Sequence, residues 1–268
     1  MYENKYYKYE DPEYSITQTP LNEQDLKTMS EAVEVLRQFK GFSYFTEMSD
    51  IINRLEDHVA SARMKTTPVI DFEKNESLKG LDYLDTIYHA IVNEHPIQLK
   101  YRSFKARSAN SFIFYPYLLK EYRNRWFVYG VRGNGRILQN LALDRIQSLE
   151  VLPQEHYIKN TFFDPNTFFD DLVGVTKNTG SVAEKVGFKV AAAEAPYIIT
   201  KPIHRSQQVM ERLADGSVIL EIEVVINHEL ERVFFRYAEG IQVLYPKTLV
   251  ELMGRKLKKA AEQYTHSK

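Results

Sequence analysis

The sequence contains no cysteine. That excludes disulfides, thiolate nucleophiles and cysteine-ligated zinc, and it fits a reducing compartment, so a cytoplasmic protein is expected. No apolar run approaches the roughly 20 residues that a membrane-spanning helix needs. Met1-Tyr2-Glu3-Asn4-Lys5 leads into no apolar signal-peptide core, so no membrane association is expected. Repeats and low-complexity tracts are missing too. So are the glycine-framed serine of hydrolases and the glycine-rich phosphate and dinucleotide loops. His228-Glu229-Leu230-Glu231-Arg232 begins like a zinc-protease helix, but Arg232 stands where the second histidine would have to be. His204-Arg205-Ser206 brings an imidazole and a hydroxyl close on an expected strand without completing a triad. No catalytic activity, metal or cofactor is therefore expected.

A net charge is lacking as well: 35 Lys and Arg face 36 Asp and Glu in 268 residues, for a formal charge of −1. Hydrophobic residues make up 44% and charged residues 26%, ordinary proportions for a globular chain long enough for two domains. The distribution of charge is uneven. Between Tyr101 and Arg136 stand eight Lys or Arg and one acid, Glu121. The same stretch holds the only tryptophan, and the chain has 18 tyrosines and 15 phenylalanines. A neutral protein that gathers cations and aromatics on one small module is suited to an anion there. For any single tyrosine, a half-buried position in a β-rich core is the simpler reading.

Along the chain the hydrophobic period changes. Residues 1–19 are polar and Tyr-rich. A helix is predicted from Asn22, with Leu26, Met29, Val33 and Leu36 on one stripe and Gly41 ending it. Met48, Ile51, Ile52, Leu55 and Val59 form a second stripe, pairing with the first as a helical hairpin, and a short strand is predicted at Pro68–Phe72. A third helix runs from about Tyr83 to Asn93 with Leu84, Ile87, Tyr88 and Ile91 inward, closed by Pro96. From Ile97 the period is two. Phe112, Phe114, Pro116 and Leu118 share one strand face, Arg123-Asn124 makes a tight turn, and Gly133-Asn134-Gly135 marks another hairpin. Five short strands joined this way predict a small SH3-like or Sm-like β-barrel.

On the strand after Arg123-Asn124, Arg125, Phe127 and Tyr129 share one face and Trp126 and Val128 the other; either face can fill the barrel. Asp144 and Arg145, adjacent on an expected strand, point apart and should not pair with each other. The linker after the barrel holds Phe162, Phe163, Phe168 and Phe169, which should pack between domains. The last unit alternates as β-α-β-β-α-β-α, with Asp215-Gly216 as a hairpin turn and Leu249, Leu252, Met253, Leu257 and Ala260 along the final helix. That order predicts a ferredoxin-like sandwich. The basic run Arg255, Lys256, Lys258 and Lys259 fits a solvated face near a helix C-terminus.

The run Leu118–Gly130 (LLKEYRNRWFVYG) followed by Leu143–Val151 (LDRIQSLEV) resembles the WYL domain of bacterial transcription regulators. The segments KPIHRSQQV from Lys201, DGSVILEIEV from Asp215 and ELERVFFRYAEGIQVLYP from Glu229 resemble the extension that follows WYL domains. The likeness covers roughly residues 15–265 and rests on order and spacing rather than one motif. Trp126-Phe127-Val128 stands where the family's Trp-Tyr-Leu run is expected, so the tyrosine hydroxyl is missing. The fold class expected is α+β: a helical linker and dimerisation segment over 1–76, a WYL barrel with its leading helix over 77–152, a linker over 153–180, and a ferredoxin-like extension over 181–268.

The resemblance implies effector sensing and a homodimer. The expected ligand-binding residues are Tyr101, Arg102, Tyr117, Arg123, Arg125, Trp126, Tyr129 and Arg145, with Arg145 also implied by its match to the family's proposed ligand surface. The expected partner is an anionic effector, either a nucleotide or a short single-stranded nucleic acid. Family members usually read duplex DNA through an N-terminal winged helix-turn-helix. Here the faces of the first two helices carry Glu23, Asp25, Glu31, Glu34, Glu47, Asp50 and Glu56, which repel phosphate, so that domain is expected to be absent from this chain. Two rivals stand beside the sensor: a direct single-stranded DNA or RNA binder such as a defence-associated accessory protein, and an interaction module whose basic patch meets an acidic protein.

Overall fold

The computed structural model describes residues 79–265 apart from 134 and 136. The chain divides into two units at Ser77–Leu78, and the described residues all belong to the second. The predicted helical hairpin, the strand at Pro68–Phe72 and Asn134 lie outside the described residues.

The architecture is mixed α and β, with two antiparallel sheets and few helices. A 3-10 turn at Leu81–Tyr83 leads into helix α1, Leu84–Val92. Its buried side is Leu84, Ile87 and Ala90, and Tyr88 is 44% exposed rather than inward, edge-on to His89. Leu84, Ile87 and Ala90 follow one another at a spacing of three, a narrow stripe that leaves Tyr88 beside it.

Strands β1 (Ile97–Tyr101), β2 (Asn110–Tyr122), β3 (Arg125–Arg132), β4 (Leu138–Ala142) and β5 (Ile146–Val151) form the first sheet in the order β4-β3-β2-β1-β5. Arg123 and Asn124 both have positive φ, as the two-residue turn between β2 and β3 demands. The expected single face of β2 breaks at a bulge between Pro116 and Leu118. Pro116 supplies no N–H for a ladder, and the extra residue turns Tyr117 inward beside it.

The second sheet contains β6 (Glu184–Val190), β7 (Gln208–Arg212), β8 (Val218–Val224) and β9 (Ile241–Tyr245) in the order β7-β8-β6-β9. Helices α2 (Ala195–Thr200), α3 (His228–Arg236) and α4 (Lys247–Thr265) accompany it. Val186, Phe188 and Val190 meet Leu220, Ile222, Phe234 and Leu249 in one apolar core. Alternation along β8, Val218 to Val224, follows the period of two that a half-buried strand requires. Helix α4 buries only Leu249 and Met253 fully; Ala260 is exposed because the helix runs on past the sheet that its first turns cover. His204 and Ser206 lie in a turn, not a strand, and hydrogen-bond to each other at 2.8 Å. The serine hydroxyl also accepts from the Glu223 amide at 2.8 Å, so the pair braces β8.

A strap joins the two sheets. The Val225 amide donates to the Asp171 carbonyl, and Asn227 Nδ2 donates to the carbonyls of Val173 and Thr176 at 3.0 and 2.9 Å. From the first sheet, the Tyr129 hydroxyl and Asn140 Nδ2 both donate to the Val175 carbonyl. Phe163, Phe168 and Phe169 surround the Tyr129 ring, with centroids 5.3–6.3 Å away. Among the described residues no helix is long and apolar enough to cross a membrane.

Candidate anion-binding site

The β3–β4 register pairs Phe127 with Ala142. Continued two residues outward, it brings Arg125 to Asp144, and the guanidinium Nε lies 3.2 Å from the carboxylate. Asp144 and Arg145 are part of a 3-10 turn, Leu143–Arg145, rather than a strand. Successive side chains of such a turn do not alternate across a pleat, so the two do pair, at 3.8 Å, contrary to the strand-based expectation. Leu143 anchors the turn in the core. Gly80, at φ 81, lets the chain press against it: a Cβ there would stand 2.4 Å from the Leu143 carbonyl carbon and oxygen.

The Arg102 amide donates to the Arg145 carbonyl at 3.1 Å, tying the end of β1 to the same turn. Arg102 Nε reaches the Ala106 carbonyl at 3.4 Å, and the Ala106 amide closes a turn onto Ser103. That turn presents Phe104, whose ring lies under the Arg145 guanidinium at 4.5 Å. Burial pushes the pKa of the Tyr101 phenol up, opposed by Arg145 and by the backbone of Ala142.

Two guanidiniums, those of Arg125 and Arg145, therefore gather around one carboxylate, with Arg102 tied to the same turn through its backbone and Lys105 and Arg107 exposed on the adjoining loop. Arg145 Nε and Asp144 Oδ1 are buried and neither has a hydrogen-bond partner. The two face each other at 3.8 Å, within ion-pair but not hydrogen-bond reach, and a buried donor on a cation without a hydrogen bond is costly. An oxyanion beside it would supply an acceptor and neutralise the excess positive charge.

Tyr101, Arg102, Arg125 and Arg145 thus come together; the other expected residues do not join them. Arg123 sits exposed at the hairpin turn, 5.3 Å over the Tyr122 ring. Trp126 is half-buried, cross-strand from Glu121. Tyr117 and Tyr129 are 8% and 2% exposed, too little to stack on a ligand. Tyr117 packs on Tyr157 and Phe162, and burial pushes its phenol up to about 12. The choice between the two faces of β3 resolves as both: Val128 is core on one side, and the strap buries Tyr129 on the other. Sequence reasoning missed Phe104 and the bridging role of Asp144. A lone phenylalanine between Arg102 and Lys105 was the available signal.

Residues 82–151 match the WYL domain family and residues 183–261 match the WCX domain family. Among solved structures, the chain is similar to proteasome accessory factor B/C (PafBC) of Arthrobacter aurescens, with 16% identity and a TM-score of 0.28, over 72% of this chain and 28% of that one. It is also similar to a CRISPR Cas-related protein, with 10% identity and a TM-score of 0.44, over 90% of this chain and 86% of that one. The chain spans well under a third of the length of the PafBC chain. No curated protein matches it. The first match covers the five-stranded sheet with its leading helix, and the second covers the four-stranded sheet and its helices. On those two matches, the chain carries a WYL domain followed by a WCX domain.

Proposed function

We propose that this chain is the effector-sensing and dimerisation portion of a WYL-type bacterial transcription regulator. Its ligand is anionic, a nucleotide or a short single-stranded nucleic acid, held by Arg145, Arg125 and Arg102. One observation carries the reading: Arg125 and Arg145 converge on Asp144 while Arg145 Nε, 3.8 Å from that carboxylate, is left without a hydrogen bond. A phosphate oxygen fits that donor, and guanidinium is the group best matched to phosphate geometry.

The five antiparallel strands, joined in sequence, favour an SH3-like or Sm-like barrel for the sensing part. The order β7-β8-β6-β9 with its helices favours a ferredoxin-like fold for the extension, which would mediate dimerisation. An effector shifts such a protein only as far as it binds one arrangement better than another.

The test is fluorescence anisotropy of labelled single-stranded and double-stranded oligonucleotides at two salt concentrations. Saturable binding of single strands is expected. Three arginines on phosphate give a slope of about −2 in log affinity against log salt. Absence of binding at low salt would overturn the reading. Light scattering should give a dimer; a monomer would remove the dimerisation part.

A further inference from the structure

An isolated exposed phenylalanine on a protein surface needs no explanation. Phe104 is different in its setting. It is 73% exposed, more than any other large hydrophobic side chain described in the first sheet and its loops. It stands on the tip of the Ser103–Ala106 turn, between Arg102 and Lys105. The turn is fixed from both sides: the Ala106 amide bonds to Ser103 at 3.0 Å, and Arg102 Nε bonds to the Ala106 carbonyl. Arg145 lies over the ring at 4.5 Å from its centroid, so a cation of the proposed anion site holds the aromatic in place. The remainder of the ring faces solvent beside the Arg145 guanidinium, whose Nε has no hydrogen bond.

A flat apolar surface next to a phosphate-binding cation is what a nucleotide offers a use for. Its phosphate meets the guanidinium while its base covers the ring. A bare phosphate or polyphosphate has nothing to place there. We infer that Phe104 is the base-stacking platform of this site and the residue that makes it select nucleobase-bearing ligands over other polyanions. The inference rests on the proposed anion site and adds the ligand's second half to it. Lys105 and Arg107, exposed on the same loop, add positive charge suited to a neighbouring phosphate.

The experiment compares wild type, Phe104→Ala and Phe104→Trp by calorimetric titration with two probes: a short oligothymidylate and an inorganic polyphosphate of equal charge. Phe104→Ala should weaken the oligothymidylate by about tenfold or more and leave the polyphosphate within about twofold. Phe104→Trp should keep wild-type affinity, with indole fluorescence quenched on adding oligothymidylate. An equal loss for both probes would mean that the ring only props Arg145, and the inference would be overturned. So would unchanged binding of both, which leaves the anion site standing without its platform. If wild type takes up neither probe, the anion site itself fails, and this inference with it.

Discussion

Asn227 holds three groups at once. Its Oδ1 accepts from the Leu230 amide at 2.9 Å and caps α3, while Nδ2 donates to the carbonyls of Val173 and Thr176 in the strap. At 7% exposure, water cannot easily replace it. Asn227→Ala removes a helix cap, about 1 kcal/mol, and two further bonds to carbonyls left buried, about 1 kcal/mol each. A loss of about 3 kcal/mol is expected, against a total of roughly 5–15 kcal/mol for an ordinary domain. Asn227→Ser keeps an acceptor for the cap but not the two donors, so about 2 kcal/mol should be lost. Urea unfolding measures both, with Trp126 fluorescence reporting on the first sheet and far-ultraviolet dichroism on the whole. Because the strap links the sheets, the alanine variant should lower the dichroism midpoint and pull the two probes apart. An alanine variant within about 1 kcal/mol of wild type, with coincident probes, would refute the reasoning.

Two further predictions concern buried phenols and the turn below the site. Burial pushes the pKa of Tyr117, Tyr129 and Tyr157 above the ordinary 10.0, to about 12 for Tyr117. Above pH 10 the unfolded chain releases protons that the folded chain keeps, so their contribution is complete below that pH and is lost as pH rises through the window. Urea midpoints at about pH 9 and about pH 11 should show a clear fall at the higher value; equal midpoints would contradict it. Gly80→Ala forces a Cβ into the Leu143 carbonyl at a positive φ, displacing the turn that carries Asp144 and Arg145. Oligonucleotide affinity should fall while the second sheet stays folded by dichroism, and unchanged affinity would separate Gly80 from the site.

What could be read from the sequence was local. Arg123-Asn124 announced its turn because these residues enter positive φ in a two-residue hairpin, and they do. The alternation from Val218 to Val224 gave its buried face directly. The grouping of Tyr101, Arg102, Arg125 and Arg145 was legible as a concentration of charge, not as geometry. The burial of Tyr117 and Tyr129 was not legible because what buries them is distant in sequence: Phe162 for one, and Phe163, Phe168 and Phe169 for the other. No periodicity within β2 or β3 encodes a cover supplied by a later segment. The Asp144–Arg145 pairing was hidden because a three-residue 3-10 turn between two strands leaves no hydrophobic period of its own.

The most direct measurement compares wild type with Arg145→Ala for binding of a labelled single-stranded oligonucleotide, with thermal unfolding of both proteins recorded alongside. Arg145 is the cation that touches Asp144, Phe104 and the end of β1 together. The account predicts a loss of affinity of about tenfold or more with a melting temperature within a few degrees of wild type. Wild-type affinity in a folded Arg145→Ala protein would contradict it and take the anion out of this site.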